Sequence, residues 1–374
     1  LYKDQVEFLG EPKDRFKEAL IAAERADVIV MCLGLDAGIE GEEGDAGNEY
    51  ASGDKLGLKL PGLQQELLEA VAAVGKPIVL TVLAGSALDL SWAQEHAQIR
   101  AILDCWYPGA RGGKAIAEAL FGEFSPCGKL PVTFYEGTEF LPDFTDYSMA
   151  GRTYRYTDRH VLYPFGYGLS YTTFEQTLKS VDVDLANRTV TAEVDVKNTG
   201  DVAGKDVVQL YTSVPYTDYD VENKVEKSAV QLLDYEKTDM IEPGESQTVT
   251  ITADAQDMAS WDSSCENEAG TTGNWILDNG TYYFTVGNGA HEAVNNVLAA
   301  QDQDVEGNKD NVQTWELGDF DSSSFAVTLN GTPVENQLQD ADLNNWMEDT
   351  VTYLSRNDWE GTWPETYKDL TATD

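Results

Sequence analysis

Apolar runs of strand length alternate with helix-period stretches through the first part of the chain. Phe16, Leu20 and Ala23 recur at helical spacing within Pro12–Ala26, and the continuous apolar run Asp27–Leu35 (DVIVMCLGL) follows. A run without polar alternation suits a parallel strand covered on both faces. Pro61 opens a second amphipathic stretch, LPGLQQELLEAVAAVG, with Gly75 as its C-cap. Lys76–Leu83 (KPIVLTVL), Ile99–Trp106 (IRAILDCW) and Lys129–Phe134 predict further strands, and Gly112–Phe121 a further helix. Alternation at this spacing predicts an α/β domain over residues 1–170, a three-layer sandwich with a mostly parallel sheet.

From Tyr171 the period shortens to two. TVTAEVDVKNTG (Thr189–Gly200), KDVVQLYTSV (Lys205–Val214), SQTVTITA (Ser246–Ala253) and GTYYFTVGNG (Gly280–Gly289) alternate apolar and polar positions between turn residues. This predicts an antiparallel β-sandwich of immunoglobulin or fibronectin type III-like form over residues 171–300. Residues 301–374 read as an additional β segment, with fragments such as FAVTLNG (Phe325–Gly331), followed by an aromatic linker, Tyr353–Asp374.

Charge narrows the choice of partners. Among 374 residues, 66 Asp and Glu against 25 Lys and Arg give a formal net charge of −41. Such a surface repels phosphate backbones and anionic headgroups, which excludes nucleic acid and membrane surfaces as expected partners. No apolar run approaches the roughly 20 residues of a membrane-spanning helix. Cys32, Cys105, Cys127 and Cys265 form no CxxC pair and read as buried free thiols. His96, His160 and His291 lie far apart, so neither a metal nor a cofactor is expected. PGARGG (Pro108–Gly113) lacks the P-loop Lys-Ser/Thr and the dinucleotide spacing, and reads as a strand-to-helix turn. LYKDQVEFLG shows no export leader, and with the unpaired thiols this gives a cytoplasmic expectation.

The chemical candidate is the loop Asp36–Lys55, DAGIEGEEGDAGNEYASGDK. It follows the first predicted strand, and ligands of open α/β sheets lie outside strand carboxyl ends. A carboxyl crowded by other carboxylates has its pKa raised, which suits a general acid. From the residues alone a solvated acidic loop and a calcium loop stay open, although the spacing departs from D-x-[DN]-x-[DN]-G. No GxSxG or HExxH element supplies another nucleophile or base.

Three stretches together resemble glycoside hydrolase family 3, in that family's order. They are VIVMCLGLDAGIEGEEGD with its downstream GDKLGLKLPGLQQELLEAV, then CWYPGARGGKAIAEALFGEFSPCGKLPVTF, then GRTYRYTDRHVLYPFGYGLSYTTF. The resemblance implies a retaining, exo-acting β-glucosidase whose nucleophile, an Asp, sits on a (β/α)8 barrel. Its general acid/base is a Glu on a loop of the α/β domain. Here Ile39 and the Gly41-Glu42 step select Glu42, while a Glu-Gly step selects Glu43, and Glu40 is a further reserve. Asp36, Asp54 and Lys55 are expected to shape the substrate loop, with Asp54-Lys55 standing where the family has Asp-Arg. The barrel's Ser-Asp-Trp element is absent, and Asn357-Asp358-Trp359 is only an echo of it. The resemblance therefore implies an inverted domain order, with the barrel following Asp374 or sitting on a second chain. A β-glucoside or oligosaccharide and that barrel are the implied partners, and a homodimer stays open. β-Xylosidase or arabinofuranosidase specificity and a non-catalytic binding module are the alternatives.

Overall fold

The computed structural model describes residues 16–40, 55–143, 149–157, 160–267 and 269–341. Glu42, Glu43, Asp54 and the aromatic tail 353–374 lie outside the described residues. The chain divides into two compact units. One runs to residue 123 and adds 133–141 and 160–163; the other holds 124–132, 142–159 and the chain from 164 onwards.

In the first unit, α1 (Phe16–Arg25) carries Glu18 in its first turn and Arg25 in its last, matching the helix dipole. It leads into β1 (Ile29–Gly34), followed by a single turn, α2 (Ala37–Glu40). Then come α3 (Gln64–Ala72), β2 (Ile78–Leu83), α4 (Ser91–Glu95), β3 (Ile99–Asp104) and α5 (Gly112–Leu120). The sheet order is β1-β2-β3, all parallel. β2 is central, and Ile78, Leu80, Thr81 and Val82 are buried on both of its faces. α3 buries Leu68, Val71 and Ala72, and its turn ends at Gly75 with φ +83°.

The β1–β2 register runs without slip from Ile29 opposite Ile78 to Gly34 opposite Leu83, and Val82 pairs with Asp104. All three strands therefore finish along one edge. Gly34 permits this approach: at φ +134° a Cβ there would lie 1.9 Å from the Leu83 carbonyl oxygen. The Leu35 N–H donates to that same oxygen at 2.6 Å.

Lys129–Phe134 does not form the expected parallel strand. Only β4 (Phe134–Tyr135) is extended and paired, antiparallel to β5 (Val161–Tyr163). Pro131 has no N–H to give a ladder. Residues 124–132 belong instead to the second unit, where Leu130 N–H donates to the Tyr167 carbonyl at 2.8 Å and Lys129 Nζ to the Gly168 carbonyl at 2.8 Å. The thiols also differ from expectation: Cys32 is exposed and the other three are half-buried, all four unpaired.

The second unit opens with the short α6 (Thr153–Tyr156), whose Tyr154 stacks on Phe165 at 4.4 Å. A sandwich follows. One sheet orders as β10-β7-β6, from β6 (Phe174–Asp184), β7 (Thr189–Asn198) and β10 (Ser246–Asp254). The other orders as β14-β13-β8-β9, from β8 (Val207–Ser213), β9 (Gln231–Lys237), β13 (Gly280–Gly287) and β14 (Val312–Leu317). β11 (Ser260–Glu266) and β12 (Thr272–Ile276) pair separately as a hairpin.

β7 shows why the pattern specifies this fold. Its alternate residues Val190, Ala192, Val194 and Val196 point into the core against Val208, Leu210, Phe284 and Val286 of the facing sheet. β8 is buried on both faces because α7 (Ala290–Ala300) covers its outer side, laying Ala293, Val294 and Val297 on Tyr211. The expected sandwich over 171–300 thus ends in a helix, and in the expected β segment 301–374 the described residues have β14 completing the sandwich sheet, while FAVTLNG supplies core Phe325 and one isolated bridge, Val327 to Pro333. Among the described residues, no helix is long and apolar enough to cross a membrane.

Candidate functional site

The edge where β1, β2 and β3 finish gathers the chemistry of the first unit. At the exit of β1, Asp36 Oδ1 accepts from the Ile39 N–H at 2.8 Å, capping α2 with a bond that this N–H shares with the Asp36 carbonyl at 3.1 Å. α2 ends on Glu40. One carboxylate oxygen of Glu40 accepts a hydrogen bond from Ser86 Oγ at the exit of β2, and the other accepts from the Tyr107 hydroxyl beyond β3. Lys55, the first described residue after the acidic segment, donates from Nζ to the Ala87 carbonyl at 3.0 Å.

Electrostatics follow from these contacts. Burial by itself would raise the Glu40 pKa. The hydrogen bonds from Ser86 and Tyr107, the Lys55 charge and the Gly85 N–H outweigh it and hold the carboxyl below its ordinary value. Burial pulls the Lys55 ammonium down, against the opposing pull of Glu40. Burial and then the bond to Glu40 push the Tyr107 phenol up to about 12. Glu40 is thus an ionised acceptor with both oxygens engaged, a poor geometry for donating a proton.

Gly85 makes room for this cluster. A Cβ there would meet Tyr107 Cε2 at 2.5 Å and Glu40 Oε2 at 2.7 Å. At the exit of β3, Asp104 is raised, first by burial and against a hydrogen bond from the Trp106 N–H. Its Oδ2 is buried without a hydrogen-bond partner.

Of the residues singled out in the sequence, the structure places Asp36, Glu40 and Lys55 at this edge, with Glu40 and Lys55 close enough to interact. Sequence reasoning missed Ser86, Tyr107 and Asp104. The strand-end rule pointed to all three exits but was applied only to that of β1. Ser86 and Tyr107 lie 46 and 67 residues from Glu40 in the chain, so no local spacing connects them.

Comparison with known proteins bears on the fold and the family. Residues 3–171 match the glycosyl hydrolase family 3 C-terminal domain, and 206–290 match a fibronectin type III-like domain. The chain is 41% identical over 197 residues to a xylan 1,4-beta-xylosidase of Xylanibacter ruminicola, covering 52% of this chain and 22% of that protein. It is 30% identical over 358 residues to thermostable beta-glucosidase B of Acetivibrio thermocellus, covering 90% and 43%. The chain thus spans less than half the length of either relative. A beta-glucosidase structure from Kluyveromyces marxianus in complex with glucose superposes with a TM-score of 0.64 at 28% identity, over 84% of this chain and 34% of that one. A parallel sheet with its loops at the strand ends, a sandwich behind it in sequence and these matches lead to one assignment: the chain belongs to glycosyl hydrolase family 3 and carries that family's C-terminal α/β domain followed by a fibronectin type III-like domain.

Proposed function

We propose that this chain supplies the acid/base part of a retaining, exo-acting β-glucosidase, with Glu42 as the general acid/base. One observation carries the reading. Both flanks of segment 41–54, Glu40 and Lys55, are held at the carboxyl ends of the parallel strands, where α/β sheets present ligand-facing loops. Family membership supports reading this segment as one that brings a carboxyl to a glycosidic bond.

In this mechanism the Glu42 carboxyl protonates the glycosidic oxygen as the bond to the anomeric carbon breaks. An Asp of a (β/α)8 barrel takes that carbon as a glycosyl ester. The Glu42 carboxylate then removes a proton from the water that hydrolyses the ester. The two carboxyl groups must stand about 5–5.5 Å apart. In this reading the Asp nucleophile comes from a barrel domain outside these residues, on the same polypeptide or a second one, and the chain by itself is expected to turn nothing over.

The Xylanibacter relative, named a xylosidase, favours β-xylosidase as the second reading. The sugar in the first subsite is read by the barrel, so glycone choice is settled by assay. Aryl β-glucoside and aryl β-xyloside hydrolysis by the assembled enzyme, this chain with its barrel, tests both. A glucoside kcat/KM at least about 10-fold higher supports glucosidase, the reverse supports xylosidase, and no turnover of either refutes both.

A further inference from the structure

We infer that Glu40 is a positioning residue: with Ser86 and Tyr107 it clamps the flank of the acid-bearing segment to the exits of β2 and β3. This rests on the reading of Glu42 as acid/base and adds to it a residue two positions away with the opposite protonation state. The carboxylate of Glu40 spans three strand exits at once. It leaves α2 after β1, takes one hydrogen bond from Ser86 after β2 and a second from Tyr107 after β3. Lys55 closes the other flank on Ala87, the neighbour of Ser86. The exit turn of β2, Gly85–Ala87, therefore holds both ends of the segment, and bare Gly85 is what lets the Tyr107 ring reach Glu40.

A clamp of this kind needs an anion, because a protonated carboxyl loses an acceptor site and part of the attraction to Lys55. A general acid needs the proton that Glu40 does not keep. The two roles thus divide between neighbouring glutamates, and the clamp acts on catalysis only through the placement of the segment that carries Glu42.

Kinetics of Glu40→Gln and Tyr107→Phe in the assembled enzyme separate the roles, using 2,4-dinitrophenyl and methyl β-glucosides with and without azide. A positioning residue lowers kcat/KM by about 10- to 100-fold on both substrates alike, without azide rescue. Gly85→Ala, which displaces Tyr107, does the same and adds little to Glu40→Gln. Loss of kcat/KM confined to the methyl glucoside, with a lowered kcat on the 2,4-dinitrophenyl glucoside that azide restores, would make Glu40 the acid/base and overturn the clamp. Unchanged kcat/KM in folded protein would reduce it to a structural contact and overturn it equally. Should the wild type show no turnover, the parent reading fails by itself, and the clamp is read from the Tyr107 phenol of the chain alone. Its ionisation, followed by ultraviolet absorbance against Tyr107→Phe, falls from about 12 in Glu40→Gln if the clamp exists and stays in place if it does not.

Discussion

The side-chain amide of Gln64 completes both backbone groups of Gly34: Oε1 accepts from the Gly34 N–H at 2.7 Å, and Nε2 donates to the Gly34 carbonyl at 2.8 Å. Gln64, the first residue of α3, thus acts like one residue of a further strand laid along the end of β1. This pins the point from which the acidic segment departs. Gln64→Ala leaves a donor and an acceptor of the backbone without partners and is expected to destabilise the first unit by about 2 kcal/mol. Gln64→Glu keeps the acceptor but sets a carboxylate oxygen against the Gly34 carbonyl, so it costs at least as much. Urea unfolding of the two variants checks the order; equal midpoints to wild type would show that the pairing contributes nothing.

In the second unit the Lys227 ammonium sits between Asp220 and Asp278, with all three side chains at most 1% exposed. It also donates to the Pro215 carbonyl at 2.8 Å. Lys227→Met strands two carboxylates in a dry core and is expected to cost about 3–5 kcal/mol. Adding Asp220→Asn and Asp278→Asn to Lys227→Met removes the stranded charge and should recover much of that loss, a non-additivity that thermal unfolding of the single and triple variants measures.

Stability on the acid side reports Glu40. Its folded-state pKa is lowered, so its contribution is fully present above the ordinary Glu value of about 4.3. That contribution is lost as pH falls through the lower folded value. Wild type should therefore lose stability of the first unit across this acid window, and Glu40→Gln should show a shallower fall there while matching wild type more closely at the lowest pH. Identical pH slopes for the two proteins would contradict the ionised clamp.

Much of this architecture was legible from periodicity. The unbroken runs at 27–35, 76–83 and 99–106 became β1, β2 and β3, and the period-two stretch from Thr189 became β7, because burial on two faces or one writes itself directly into the pattern. α7 was missed although Ala293, Val294 and Val297 lie on one face, because buried Asn296 and the neighbouring Asn295 made the stretch look polar. The Asn296 amide in fact donates to the Val286 carbonyl at 3.2 Å. Apolar Lys129–Phe134 misled in the other direction, since Pro131 and a tertiary tie through Lys129 override its strand propensity. The acidic loop was visible as composition. Its clamp was not, because hydrogen bonds from Ser86 and Tyr107 depend on the β1-β2-β3 register, which brings distant strand exits together.

The central claim is that this chain brings a proton-donating carboxyl to a retaining glycosidase, and Glu42→Gln tests it most directly. The measurement is turnover of 2,4-dinitrophenyl β-glucoside, whose leaving group departs without a proton, by the assembled enzyme, with azide absent and present. The expected result is a loss of about 10²- to 10⁴-fold, recovered in azide with formation of the β-glucosyl azide, since azide attacks the glycosyl ester without help from a base. Glu43→Gln should leave most of the activity. Full activity in Glu42→Gln, a loss that azide does not relieve, or turnover by the 41.1 kDa chain alone would contradict the account.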